Sequence, residues 1–249
     1  MLEISINNQG IVKGSRALLQ NVNLEFLDNS ISVLVGPNGG GKTSLLRTIL
    51  MPIGESALLK LGNQNLGSLS FAERSCLISY VGTVSSHRPR IRVRDFLEFS
   101  YYRFKVDLIK IEEVLTDLQI SSLKDKYLNE LSEGEYKRVY IANGLLQEAK
   151  WYILDEPEEH LDPLGLVLLS KKILKMKANG KSFIIACHNL DFACHIATHF
   201  YGIGSDSSIL FNLSKEETIK GRYFDELFSV KFVYNSDTAI PFSIGQLYE

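Results

Sequence analysis

Residues 31–50, ISVLVGPNGGGKTSLLRTIL, constrain the fold more than any other stretch of the chain. ISVLV is an apolar run of strand length, a glycine-rich loop follows, and SLLRTIL carries helical spacing. Gly36, Pro37, Asn38, Gly39, Gly40, Gly41, Lys42 and Thr43 fit G-x-x-x-x-G-K-[ST], directly after a buried strand and before a helix, the context this pattern requires. The glycines let backbone N–H groups curl around phosphate oxygens with no Cβ in the way. Lys42 supplies a point charge for β- and γ-phosphates, and the Thr43 hydroxyl is a ligand for Mg²⁺. The bland alternative is a glycine-rich strand–helix turn with an incidental lysine.

WYILDEP, residues 151–157, carries the complementary half of the same chemistry. A buried strand ending in Asp155 offers a carboxylate to hold Mg²⁺ through water, and Glu156 follows where a base would meet an attacking water. Alone, the two read equally as acidic residues before Pro157. NELSEGEYKRVYIANGLLQ, residues 129–147, raises a different question. Ser132 and Glu135 have capping-box spacing ahead of an apolar-periodic helix. Such a helix start serves the fold, or it serves an anion through its free N–H groups and dipole.

Strand and helix signals alternate on both sides of an all-helical stretch. LEISI, VNLEFL, ALLKL, CLISYV, WYILD, SFIIA and HFYGI read as strands, with turn-rich QGIVKGSR between the first two. From Val93 to Gln147 the pattern is helical, and LGLVLLSKKILKMKA and NLDFACHIA are further helices. The tail, FDELFSVKFVYNSDTAIPFSI, reads as one helix and two strands without assignable chemistry. Such alternation predicts a parallel α/β core carrying a helical lobe.

The 249 residues, 45% of them hydrophobic, can bury a sizeable core, and a net charge of −2 gives no global basic field for nucleic acid. Three cysteines, Cys76, Cys187 and Cys194, lack CxxC spacing and argue for a reducing compartment. No apolar run approaches the ~20 residues of a membrane span, and MLEISINN lacks the marks of a signal peptide. These features predict a cytoplasmic protein. His195 and His199, four apart near two cysteines, have a Zn²⁺-like spacing, but the second begins a strand and buried Cys behaves as a small hydrophobe. The basic run RPRIRVR, 88–94, reads as a solvated or partner-facing loop, and Tyr101, Tyr102 and Phe104 as lobe packing.

The order of phosphate loop, LSEGE, ILDEP, HLD and FIIACH resembles the ATP-binding subunit of an ABC transporter across nearly the whole chain. Within the family it is most similar to metal-chelate importers carrying iron-siderophore, haem or cobalamin, on LGSLSFAERSCLISYV and RVRDFLEFSYYR. The resemblance implies an α/β P-loop NTPase (RecA-like) core with an antiparallel β subdomain and an inserted helical subdomain. Residues 1–87 and 149–249 would form the core lobe and 88–148 the helical lobe of a single domain. It implies an ATPase whose residues 36–44, through Ser44, bind ATP, with Thr43, Asp155 and Thr83 on Mg²⁺. Lys42, Glu156 and His188 would be catalytic, His188 sensing the γ-phosphate. Ser132, Gly134, Glu135 and Asp162 would meet the nucleotide of a second copy in a head-to-tail dimer. The implied partners are that second subunit, an integral membrane permease and, indirectly, a substrate-binding protein. The implied location is the cytoplasmic face of the membrane. Rival readings are a non-transport ABC ATPase, which would normally carry coiled-coil insertions or tandem cassettes, and a weakly hydrolysing regulatory switch.

Three positions depart from the family pattern. Glu133 stands where a second glycine is usual, and its carboxylate is expected to point away from a triphosphate. Thr83 in YVGTVSSH stands where a glutamine normally reaches Mg²⁺ and water, with Ser85, Ser86 and His87 as substitutes from a shifted loop. No aromatic stands near Ile11 or Val12 to stack adenine, so apolar contact is expected there.

Overall fold

A computed structural model describes residues 3–13, 16–51, 58–84, 87–100, 107–234 and 241–247. The chain begins with a hairpin of β1 (Ile4–Lys13) and β2 (Arg16–Phe26). Their pairing is antiparallel and shifts register at Gln9, Ile11 and Val12. QGIVKGSR is therefore almost wholly strand rather than a turn: the bulges absorb its glycine and polar residues without ending the ladder. β3 (Ile31–Val35) runs into the glycine loop and then α1 (Lys42–Leu50). β4 (Leu58–Leu61) and β5 (Gln64–Asn65) complete an antiparallel sheet of order β2-β1-β4-β5.

CLISYV divides between two elements, α2 (Phe71–Leu77) and β6 (Ile78–Val81). A capping box of Ser70 and Glu73 starts the helix there, so local capping outweighs the strand-like CL pair. α3 (Val93–Ser100), α4 (Leu108–Asp117) and α5 (Glu133–Leu146) follow, then β7 (Trp151–Asp155), α6 (Pro163–Ala178) and β8 (Ser182–Ala186). α7 (Leu190–Ile196), β9 (His199–Ile203), β10 (Ile209–Ser214) and α8 (Lys215–Lys220) come next. α9 (Tyr223–Phe228), β11 (Val230–Tyr234) and β12 (Pro241–Leu247) end the described chain. β10 and α8 carry too little apolar periodicity to stand out in sequence; β10 alternates exposed and buried positions as an edge strand.

The central sheet has the order β10-β9-β3-β8-β7-β6, parallel except for β10. β3, β7 and β8 are buried at every residue, which is why they read as unbroken apolar runs. Their side chains alternate between two cores. Leu34, Ile153 and Ile184 meet α1 and the antiparallel sheet, whereas Val33, Leu154 and Ile185 meet the layer of α5, α6 and α7. The second core continues without a break into the helical lobe through Val93, Leu97, Val114, Val139 and Ala142.

The basic run 88–94 knits this lobe rather than forming a free patch. Arg88 lies over the Tyr136 ring at 4.7 Å and donates to the Leu131 carbonyl at 2.6 Å. Arg90 and Arg92 lie over Tyr127, and Arg94 pairs with Asp125 at 3.2 Å. Tyr101, Tyr102 and Phe104 fall outside the described residues. Among the described residues, no helix is long and apolar enough to cross a membrane.

Lys172 of α6, only 8% exposed, reaches Asp117 at the end of α4 at 2.7 Å, and Lys175 joins it at 3.2 Å. Burial alone would raise the Asp117 pKa, but bonds from the two lysines outweigh it and the carboxyl is held below its usual value. A carboxyl depressed on folding contributes stability above its unfolded pKa, near ~3.9, and loses it as pH falls through the lower folded value. We expect Asp117→Ala to cost about 1–3 kcal/mol at pH 7, because it strands a buried ammonium. Urea titrations of the two proteins should differ at neutral pH and draw together as pH falls through the lowered Asp117 pKa.

Candidate functional site

The glycine loop is shaped by two backbone demands. At Gly36 φ is 150°, and a Cβ there would stand 2.0 Å from the Ile203 carbonyl oxygen at the end of β9. At Gly39 φ is 82° but the surrounding space is open. The loop enters α1 through Gly41, with no side-chain cap on that helix, so its first N–H groups are left to the loop. Lys42 is buried and folds back over the loop, its Nζ donating to the carbonyls of Gly36 at 2.7 Å and Pro37 at 2.9 Å. Burial lowers its pKa, while the charges of Glu156 and Asp155 act to raise it. The ammonium is thus held by carbonyl dipoles that an incoming phosphate can replace.

One row of the sheet register sets the acidic half beside this loop: Leu34 faces Ala186, and Ala186 faces Asp155. Asp155 has no exposed surface, and its Oδ1 accepts from the Thr43 hydroxyl at 3.0 Å. Burial raises its pKa, with the Thr43 bond opposing. Tyr80, on β6, brings its hydroxyl to 3.5 Å from Asp155 Oδ2. Sequence reasoning missed this residue, because an aromatic in a half-buried strand is unremarked. Thr83 is exposed on the loop after β6; Ser85 and Ser86 fall outside the described residues, and His87 is exposed.

Glu156 takes a left-handed φ of 49°, which turns the chain sharply as it leaves β7. Its N–H donates to the Ala186 carbonyl at 2.9 Å, and its carbonyl accepts from Lys137 Nζ of α5 at 2.8 Å. Its Oε1 lies 2.6 Å from His188 Nε2; with the carboxylate ionised, the ring nitrogen is the donor. His188 follows β8 by two residues, as Glu156 follows β7 by one. Lys42, Thr43, Asp155, Glu156 and His188 therefore meet at one end of the parallel strands, where loops of such sheets hold ligands. A cavity of about 730 Å³ opens beside Glu156 and His188, walled on the far side by Phe228, Val230 and Phe232 of the tail.

The second group of expected residues lies elsewhere on the surface. Ser132 caps α5: its Oγ accepts from the Glu135 N–H at 3.3 Å, and its own N–H donates to Glu135 Oε2 at 2.8 Å. Ser132 is exposed. Glu133 turns toward His160, with Oε1 3.5 Å from Nε2, and Gly134 sits against the His160 carbonyl, 3.1 Å from where a Cβ would be. Asp162, exposed, caps α6 by accepting from the Gly165 N–H at 2.7 Å. Among the described residues, no hydrogen bond or ion pair joins Ser132, Gly134 or Glu135 to residues 36–44. Ile11 and Val12 lie in β1, with side chains outside the described set.

Among the described residues, no group of three or more His, Cys, Asp or Glu is placed to hold a metal ion. Burial pushes the Cys194 thiol up to about 12 and raises Cys187 further from ionisation.

The model of the family described as ABC transporter matches residues 19–159. The zinc import ATP-binding protein of Buchnera aphidicola subsp. Schizaphis graminum is 30% identical over 94% of this chain and 93% of its own. The petrobactin import ATP-binding protein of Bacillus subtilis is 23% identical over 91% of this chain and 93% of its own. A probable iron chelatin transport ATP-binding protein of Helicobacter pylori is 29% identical over 79% and 81%. In fold, the chain is similar to a solved ATP-binding subunit of an ABC transporter, with a TM-score of 0.79, 18% identity and 92% and 98% coverage. A nucleotide-free ATP-binding cassette from an ABC transporter superposes with a TM-score of 0.75 at 22% identity, covering 92% and 98%.

The two loop glycines make separable demands. Gly36→Ala meets a backbone oxygen that cannot swing away and a φ hostile to side chains, so it should cost roughly 3 kcal/mol or more. Gly39→Ala meets only the φ penalty, about 1 kcal/mol. Urea midpoints of the two variants check this; equal losses would mean that the loop is free to re-route around Ile203.

Proposed function

Given that the chain belongs to the ABC transporter ATP-binding family, we propose that two copies of it hydrolyse ATP between them and thereby drive import of a metal chelate through a separate membrane permease. The observation that carries the hydrolytic part is the meeting of Lys42, Asp155, Glu156 and His188 at the ends of β3, β7 and β8.

Each residue has a task that its surroundings favour. Residues 36–44 present backbone N–H groups and the uncapped start of α1 to the phosphates. Lys42 exchanges its two carbonyl partners for β- and γ-phosphate oxygens. Glu156 orients and polarises the attacking water, and His188, bonded to it at 2.6 Å, fixes the carboxylate and meets the γ-phosphate. Asp155 and Thr43, a buried carboxylate and a hydroxyl 3.0 Å apart, fit Mg²⁺, which takes few protein oxygens and leaves its other positions to phosphate and water. Thr83 completes that set from the loop after β6. The ion would neutralise phosphate charge as it develops. Catalysis is then mainly positioning and charge stabilisation.

Ser132, Gly134, Glu135 and Asp162 lie apart from this loop and on the surface, which suits contact with the nucleotide of a second copy. Glu133, turned to His160, is kept from the phosphates in this arrangement. The names of the relatives, which import petrobactin, iron chelatin or zinc, support a metal cargo. We assign cargo of the iron-siderophore, haem or cobalamin type, delivered by a substrate-binding protein. The subunit itself would sit on the cytoplasmic face of the membrane against its permease. A slowly hydrolysing switch is the second reading, favoured by the exposed Thr83 in the glutamine position.

Glu156→Gln keeps the size and a hydrogen bond to His188 but removes the base. Turnover should fall at least about a hundredfold, while ATP still binds and the protein elutes as a dimer with Mg-ATP. Hydrolysis persisting in a monomeric variant would remove Glu156 from this role.

A further inference from the structure

Three residues past the end of β7, Glu158 sits in the tight turn that also carries Glu156, and no task in the reaction has been given to it. Its Oε1 accepts two backbone N–H groups of the segment that follows β8: His188 at 2.6 Å and Asn189 at 3.3 Å. Its Oε2 is sealed from solvent. Burial, followed by the charge of Glu158, raises the pKa of the neighbouring Cys187 thiol. Drawing a carboxylate out of water is costly, and the two backbone N–H bonds to Oε1 offset that cost.

We propose that Glu158 is a positioning residue: by clamping the His188–Asn189 backbone it fixes where the His188 ring meets Glu156. The inference rests on the reading that His188 acts at the γ-phosphate. The ring has little else to hold it. His188 is 36% exposed and lines the 730 Å³ cavity, so packing does not determine its orientation. Among the described residues, two restraints remain, both from one turn. Glu156 meets the ring at Nε2, and Glu158 meets the backbone N–H of the same residue. The turn has a defined shape: Glu156 and His160 both adopt left-handed φ values, of 49° and 64°. The Glu159 N–H bonds back to the Glu156 carbonyl at 3.3 Å, and the Leu161 N–H to Glu158 at 3.2 Å. At 2.6 Å the bond from the His188 N–H is short for its type. It transmits the position of the turn to the histidine, where a displacement of about 1 Å is worth on the order of a hundredfold in rate.

Glu158 has two properties, an acceptor oxygen and a charge, and three substitutions separate them. Glu158→Gln keeps an acceptor at the same reach without the charge, Glu158→Asp keeps the charge one methylene short, and Glu158→Ala keeps neither. Steady-state ATP hydrolysis by the purified protein should give kcat at least tenfold lower for Ala and Asp and within about threefold of native for Gln. KM for ATP should stay within about twofold in all three, since the phosphate loop is untouched. Exchange of the His188 amide, read by NMR, should quicken in Ala and Asp but not in Gln. In a His188→Ala background, Glu158→Ala should lower the residual rate no further. If Gln falls as far as Ala, the charge matters and the clamp does not. A further loss in the His188→Ala background would mean that Glu158 acts by another route. The two readings fail differently: His188→Ala with native turnover removes His188 from the mechanism, whereas an inactive His188→Ala beside a native-like Glu158→Ala removes the clamp alone. Should Glu158→Ala fail to fold, the contrast between Gln and Asp decides the same question.

Discussion

The 3.0 Å bond from the Thr43 hydroxyl to Asp155 joins two residues 112 positions apart, and most of the site depends on what makes it possible. β8 lies between β3 and β7, and a single row of pairing, Leu34 to Ala186 to Asp155, aligns the ends of all three strands. Each strand then releases one functional loop at the same level: the glycine loop after β3, Glu156 after β7 and His188 after β8. A slip of one residue in either pairing would exchange the two faces of a strand buried on both sides. Asp155 would leave the Thr43 hydroxyl, and Glu156 would leave the Ala186 carbonyl that its N–H now bonds. The full burial of these strands therefore fixes the chemistry as well as the core.

Charge is concentrated where that row ends. Asp155, Glu156 and Glu158 stand near one buried cation, Lys42, and near Lys137 from α5. Burial lowers the pKa of both lysines, and the neighbouring carboxylates oppose that shift. The Lys137 bond to the Glu156 carbonyl also ties the helix that begins at Ser132 to the strand end that carries Glu156. The start of α5 and the end of β7 thus share one direct link.

Much of this was legible in the sequence because the physics is local. Fully buried parallel strands read as apolar runs, the glycine loop sits between a strand and a helix, and the capping box of Ser132 and Glu135 needs only its spacing. What escaped needs partners distant in sequence. Tyr80 looks like any strand aromatic until β6 pairs with β7 and brings it toward Asp155. Glu158 draws no notice in sequence, because its partners are the backbone N–H groups of His188 and Asn189 from the segment after β8. The basic run 88–94 appears free in sequence because Tyr127, Tyr136 and Asp125, which engage it, come from later turns of the lobe. The tail, read in sequence as a helix and two strands without chemistry and found as α9, β11 and β12, supplies a wall of the cavity beside His188.

We propose that one ATP site is built from the phosphate loop of one copy and the α5 start of another. Mixing two inactive forms of the chain, Lys42→Ala and Ser132→Arg, tests it directly through the ATPase rate. In a head-to-tail pair, one site of the mixed dimer combines an intact loop with an intact Ser132. Activity should then return on mixing, up to roughly a quarter of native from a random mixture with independent sites. No recovery from mixtures that demonstrably form mixed dimers would contradict the shared site and return Ser132 to a purely capping role.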